Sequence, residues 1–419
     1  MTGMPPSSAP RAGREIPLWI LALSTTFGMQ TVASFLSQSL PIIAPLLTAG
    51  VGLAPERVGN LSSLNSLGSV IFLLFCGPLL ARLGPVRMLQ VGAAVAAVGL
   101  AVAASGWGAA LMVAALLLGL GYGPSPPAGS RILSATSPKE HRSLIFSIKQ
   151  AGAPAGGALA GLILAPIASA WGWTVALIVP IAVAVMSCLI IEPTRARLDT
   201  EREPNQPIGL SVLFDPRIVV APFLLLKSNS LMLSVTALAF SLAIVQGCLF
   251  SFSVTYLVID RQMPLVVAGM VYACLQFAGV FARIFLGWLA DRTGRPTYNL
   301  TAQAFIASGV MVVYAMLPVD PPVLIAALIA TAAGFFGASW NGIYMAEVAR
   351  LSPAGKVSEA TSSSTIVTFM GYVLGPSIFS VLVTWTGGYR LPFLFTAVQL
   401  TLMAVIQVFV LVRRARSAR

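Results

Sequence analysis

The chain has 419 residues, 57% of them hydrophobic and 9% charged, against about 25% charged in an ordinary soluble domain, which excludes a water-soluble globular fold. Its net charge of +12 would suggest nucleic acid in a soluble protein. On so apolar a chain the cations instead match the anionic lipid headgroups of one membrane face, and nucleic acid is excluded as a partner. Twelve apolar runs follow one another, at 17–47, 57–81, 86–105, 107–136, 143–169, 172–191, 228–259, 265–289, 297–317, 321–351, 357–384 and 389–412. A helix needs about 20 such residues to cross about 30 Å of hydrocarbon. An even count puts both termini on one side. With the termini in the cytoplasm, nineteen of the 25 Lys and Arg fall in inner loops and tails, and Arg57, Arg261 and Arg390 in outer loops. The positive-inside rule then fixes that orientation, in a cytoplasmic (inner) membrane.

Run one is too long for a cleaved leader and is expected to stay as the first helix. It sets Gln30, Ser34 and Gln38 at intervals of four, which is one polar face. Run four contains GYGPSPPAGS, with prolines at 124, 126 and 127. The missing amide donors and ring clashes predict a kink or unwound segment there, with freed carbonyls facing water or ligand and Tyr122 beside them. That segment is either a hinge or a binding element. Arg131 follows, close enough to the interface to snorkel or to point inward. Run five carries FSIKQAGAPAGG (146–157), where Lys149 shares a face with Gly152, Ala153 and Gly156, a small-residue stripe that admits a neighbouring helix. Cys76, Cys188, Cys248 and Cys274 lie inside apolar runs without metal-ligand spacing and read as packing residues; no metal and no cofactor are expected.

The longest polar break, Glu192 to Lys227, reads as a cytoplasmic linker, with IGLSVLFDPRIV (208–219) as a short amphipathic surface helix. The expected organisation is a tail over 1–16, a six-helix bundle over 17–191, the linker over 192–227, a second six-helix bundle over 228–412 and a tail over 413–419. Run seven supplies Ser241, Gln246 and Ser253. Run eight aligns Arg283 with Gln276, Gly279 and Gly287. Run ten supplies Trp340, Asn341 and Tyr344, with Glu347 one turn further on. The halves echo each other: GPLLARLGPVR (77–87) matches GWLADRTGRPT (287–297), TSPKEHRS (136–143) matches LSPAGKVS (351–358), and the pair Gly157 and Gly161 recurs at Gly371 and Gly375.

The sequence Gly287-x-Leu289-x-Asp291-Arg292-x-Gly294-Arg295, between runs eight and nine, resembles the loop signature of the major facilitator superfamily. The resemblance implies an all-α integral membrane fold of two pseudosymmetric six-helix bundles that rock around a central path. It further implies that Asp291 latches the halves in one conformation, seated against the positive end of a neighbouring helix, with Gly287, Arg292, Gly294 and Arg295 forming its turn. The first copy departs from the pattern, since Ala81 stands where the carboxylate would be. In this fold runs one, four, seven and ten line the path, so Gln30, Ser34, Gln38, Tyr122, Gln246, Trp340, Asn341 and Tyr344 are the expected neutral ligand contacts, together with Gln276. The GAPAGG stretch also resembles the glycine–proline motif of drug/proton antiporters, but its Gly152-Ala153-Pro154 order breaks that motif's usual pair, and it reads first as packing sequence.

An ionised side chain at mid-membrane costs several kcal/mol unless it faces protein or water. Lys149 and Arg283 stand about 10–12 Å inside the runs at 1.5 Å per residue, and their small or polar helix-mates point them inward. Eleven of the thirteen Asp and Glu fall in loops or the linker, Glu347 and Glu359 lie near the turn at Pro353, and no carboxylate sits at mid-depth. Such a chain suits an anion, with the two cations as anchors. Arg283-x-x-x-Gly287 is similar to the arginine position of the monocarboxylate transporters and the oxalate/formate antiporter, where the arginine binds carboxylate. Gly279 stands where the former carry an aspartate, and the eleventh run lacks the latter's lysine. The expected protein is thus a monomeric secondary transporter of a small organic anion working by exchange or uptake; the alternative is an efflux antiporter for amphipathic drugs. A membrane enzyme is disfavoured, since there is no HExxH, no paired intramembrane carboxylates and no phosphate-cradling loop.

Overall fold

The computed structural model describes residues 17–138, 141–200, 202–206, 229–353 and 357–417; the expected surface helix over 208–219 and the tail over 1–16 lie outside them. The helices are α1 (Leu18–Gly50), α2 (Val58–Leu83), α3 (Pro85–Ala103), α4 (Gly108–Tyr122), α5 (Ser125–Thr136), α6 (Arg142–Trp171), α7 (Trp173–Ile191), α8 (Arg195–Leu198), α9 (Ser230–Thr255), α10 (Leu265–Thr293), α11 (Pro296–Ala315), α12 (Val323–Gly337), α13 (Asn341–Leu351), α14 (Val357–Thr386) and α15 (Arg390–Ser417). No strand occurs among the described residues. With α4 and α5 forming one crossing and α12 and α13 another, the described residues make twelve crossings.

Eleven of these crossings are long and apolar enough to span a membrane by composition. The remaining one, α11, has 20 residues but is less apolar because its inward face carries polar side chains. Thr297 donates to Glu347, Gln303 to the Phe336 carbonyl at 2.9 Å, and Ser308 to the Ala397 carbonyl at 2.8 Å. Each of these donors is taken up by a neighbouring helix instead of facing lipid, while the Gln303 Oε1 is buried without a partner among the described residues.

Two crossings are broken. The break at Gly123 and Pro124, between α4 and α5, is where the proline cluster predicts it. The second, at residues 338–340 between α12 and α13, has no proline. There the Ser339 hydroxyl takes the Phe335 carbonyl that its backbone amide would otherwise use. The run expected over 321–351 is one crossing, Val323–Leu351, built from these two helices.

The bundles meet most closely in the half of the molecule away from the termini, where α6 lies on α10 and α2 on α14. Gly161 and Gly269 bring two backbones together. A Cβ on Gly161 would stand 2.6 Å from the Gly269 carbonyl, and one on Gly269 would stand 2.5 Å from the Gly161 carbonyl. On the same side the Glu56 carbonyl accepts from the Ser380 hydroxyl at 2.8 Å. This far face is closed.

Candidate functional site

Two helix defects, only one of them at a proline, decide where backbone acceptors are left without partners. Pro154, inside α6, has no N–H, so the Gln150 carbonyl four residues earlier loses its helical donor. The break after α12 likewise frees the Ala338 carbonyl. Arg283, arriving from α10 in the other bundle, donates to both: Nη1 to Gln150 at 2.8 Å and Nη2 to Ala338 at 3.4 Å. Its Nε is buried without a partner. Arg283 is therefore held by neutral dipoles freed by two helix defects and forms no ion pair with any described carboxylate. Its side-on edge, Nε with Nη2, carries one weak bond and one free donor. Such an edge suits the two oxygens of a carboxylate.

Lys149 is 2% exposed, so it does not snorkel. Its stem crosses from α6 to α5 over Gly129, where an added Cβ would stand 2.5 Å from the lysine Cε. No described side chain pairs with its ammonium. Lys149 thus leaves α6 toward α5, whereas Arg283 reaches the carbonyl of the next residue of α6, Gln150. Lys149 stays inside its own bundle, and Arg283 bridges between bundles.

Neutral groups close in from both sides. Gln30 donates to the Tyr122 hydroxyl at 3.2 Å and accepts from Ser125 at 2.9 Å. Across the molecule the Gln246 carbonyl oxygen accepts from Tyr372 at 2.8 Å and from Asn341 at 3.3 Å. Tyr122 and Tyr372 both stand within electrostatic range of Arg283. Farther from the termini, the Tyr272 hydroxyl donates to Gln38 and accepts from Gln276, both at 2.9 Å. Gln276 also fills the space above Gly157, where a Cβ would stand 1.9 Å from its Nε2.

Other candidates are engaged in packing. Ser34 donates to the Ala153 carbonyl at 2.6 Å. Trp340 and Tyr344 lie against each other with centroids 5.6 Å apart, and Tyr344 reaches Thr236 at 3.4 Å. Glu347 is buried under a two-pronged contact with Arg350, both bonds 2.7 Å long, so its charge is neutralised inside its own bundle. Arg131 is half-buried near the end of α5. Sequence reasoning missed Ser125, Tyr272 and Tyr372. Tyr272 could have been found, since 272, 276, 279 and 283 recur at the spacing of one helix face, whereas Tyr372 lies on a crossing outside the four expected to line the path.

The two copies of the loop signature behave differently. Gly294 ends α10 in the left-handed region, φ 62°, and Gly287, Asp291, Arg292 and Arg295 are solvent-accessible around it. Asp291 forms no ion pair among the described residues. In the first copy, where Ala81 replaces the carboxylate, Asp199 of the linker takes its place. Its Oδ1 accepts from the Val86 amide at 2.7 Å and its Oδ2 from the Arg87 amide at 3.2 Å, capping α3. Gly84, φ 86°, makes room, since a Cβ there would stand 2.6 Å from the Asp199 Cγ. Burial raises the Asp199 carboxyl above its ordinary value, opposed by those two amides and by Arg195 and Arg202.

The sequence profile of the Major Facilitator Superfamily matches residues 18–354. An uncharacterized transporter of Mycobacterium tuberculosis is 24% identical over 285 residues, 65% of this chain and 60% of its own length; the chain thus spans about three fifths or less of the length of each curated relative named here. A 4-hydroxybenzoate transporter of Pseudomonas putida is 26% identical over 61% of this chain and 62% of its own length. A hexuronate transporter of Bacillus subtilis is 28% identical over 35% of each. Among solved structures, a bacterial homolog of the human lysosomal transporter Spinster, inward-facing, aligns with TM-score 0.73 at 16% identity over 94% of this chain and 97% of that one. A peptide transporter in complex with sulfate aligns with TM-score 0.74 at 16% identity, over 98% and 97%.

Proposed function

Because the chain belongs to the major facilitator superfamily, we propose that it is a secondary transporter of a small organic carboxylate, with Arg283 as the group that receives the carboxylate. The observation that carries this reading is the guanidinium held only by neutral carbonyls, with its Nε buried and free. A carboxylate accepts from Nε and Nη2, displacing the long contact to Ala338 while the bond to Gln150 keeps the guanidinium oriented. Lys149 adds a positive field from the neighbouring turn of α6. Tyr122, Tyr372 and Asn341 donate to whatever the carboxylate carries. The relatives named for 4-hydroxybenzoate and hexuronate, both carboxylates, support the class.

In this reading substrate enters from the side bearing the termini, away from the packed far face, and we take that side as the cytoplasm of a multi-pass inner-membrane protein by the positive-inside rule. Alternating access then separates Gly161 from Gly269 and brings the loop at Asp291 against the opposite bundle. The chain works as a monomer without cofactor. Counterflow of labelled carboxylates and of organic cations into proteoliposomes tests the proposal. Carboxylate uptake that Arg283→Gln abolishes supports it, and uptake of cations with no carboxylate competition overturns it.

A further inference from the structure

A second site lies on the membrane-facing surface. Tyr298, Thr301, Ala302 and Phe305 of α11 oppose Val408, Leu411, Val412 and Ala415 of α15 across a cavity of about 480 Å³, with Arg416 at its mouth. The walls match. Each helix contributes positions i, i+3, i+4 and i+7, which make one face of a helix. The small residues Ala302 and Ala415 leave the hollow, and buried Leu411, 9% exposed, forms part of its floor. Tyr298, 51% exposed, stands at the mouth with Arg416.

The groove begins at the end of the molecule that bears the termini, where α11 starts and α15 ends. Seven residues from Tyr298 to Phe305 take it about 10 Å into the membrane at 1.5 Å per residue. A leaflet's hydrocarbon is about 15 Å deep, half of the bilayer core. An apolar slot of that depth, topped by a guanidinium and a phenol, has the length of much of one acyl chain and the polarity of the layer it spans. We propose that it holds a phospholipid with an anionic headgroup, one acyl chain in the groove and the phosphate on Arg416. Charge argues for this occupant over a second copy of the chain. An isologous contact would set one Arg416 against the other, beside the further cations of the last turn of α15.

Acyl tails gain little from an apolar groove over surrounding lipid, so selectivity comes from the headgroup. One cation near the surface gives about a fivefold preference for an anionic lipid. The full-length chain, delipidated in detergent, is offered phosphatidylglycerol and phosphatidylcholine in equal amounts, and bound lipid is counted by native mass spectrometry. Wild type is expected to retain phosphatidylglycerol with about that preference, Arg416→Gln to bind both equally, and Ala302→Trp, which fills the groove, to retain neither at an unchanged melting temperature. The proposal is overturned by equal binding in wild type, by a preference that survives Arg416→Gln, by displacement of the lipid with inorganic phosphate alone, or by a dimer that Ala302→Trp dissolves.

Discussion

Replacing Arg283 by lysine keeps the charge and removes the fork, and so separates electrostatic attraction from two-pronged recognition. In wild type the guanidinium reaches Gln150 at 2.8 Å and Ala338 at 3.4 Å while Nε stays free. A lysine has one ammonium. If it occupies the Gln150 carbonyl, a carboxylate can touch it at a single point instead of two. One charge-assisted hydrogen bond is worth about 1.5–3 kcal/mol, so Arg283→Lys is expected to weaken carboxylate binding by about 10- to 150-fold. Arg283→Gln retains a donor for the Gln150 carbonyl, so the bundles stay joined, but it removes the charge and is expected to abolish the response. The assay is a thermal-shift titration of purified protein with a panel of small carboxylates at fixed ionic strength. A dissociation constant for Arg283→Lys within twofold of wild type, or a full response from Arg283→Gln, refutes the assignment of the Nε edge as the carboxylate seat.

Pro154→Ala restores an amide to the Gln150 carbonyl; sharing that acceptor loosens Arg283, and titration should show carboxylate binding weakened severalfold while the helix itself gains stability. Gly129→Ala forces Lys149 off its path, since the new Cβ would stand 2.5 Å from the lysine Cε; transport should fall more than expression, measured as counterflow per folded protein. Asp199→Ala leaves two amides of α3 uncapped and should cost about 1 kcal/mol, read as a lower melting temperature. The same carboxyl has a folded-state value raised by burial, so its contribution is greatest below the unfolded value of about 4 and declines as pH rises through the folded one. Relative to Asp199→Asn, wild type should gain stability on acidification from neutral pH.

The crossings were legible in the sequence because lipid imposes one requirement, a long apolar run, and only α11 departs from it, its polar side chains donating to neighbouring helices. The break in the fourth crossing was legible because proline acts locally. That in the tenth was not, because it depends on a serine hydroxyl competing for a carbonyl. At the candidate site, Arg283 and Lys149 could be named from charge and depth, and Gln30, Gln246 and Asn341 from polarity once the resemblance said which runs line the path. What they touch could not. Ser34, Trp340 and Glu347 read as cavity residues by type, and their partners Ala153, Tyr344 and Arg350 came from geometry that spacing does not encode. The Asp199 cap was out of reach for the same reason: a carboxylate missing at Ala81 is replaced from 118 positions downstream, by a linker folding back on the loop.

Holding Arg283 on carbonyls instead of on a carboxylate bears on how a carrier can cycle. Had the resting guanidinium been paired with a buried acid, each substrate would first have to break that pair, and removing one partner from a buried ion pair costs about 3–5 kcal/mol. Carbonyl dipoles hold the cation more weakly and leave it a net charge, so in the proposed cycle an arriving carboxylate neutralises something that was uncompensated. The gain on binding is therefore larger, and it falls at the contact that joins α10 to α6. A ligand that changes the charge at that contact changes the energy of bundle separation directly. This also explains why the two defects belong together: without Pro154 or the break at 338–340, the acceptors that park the guanidinium would be spent inside their own helices.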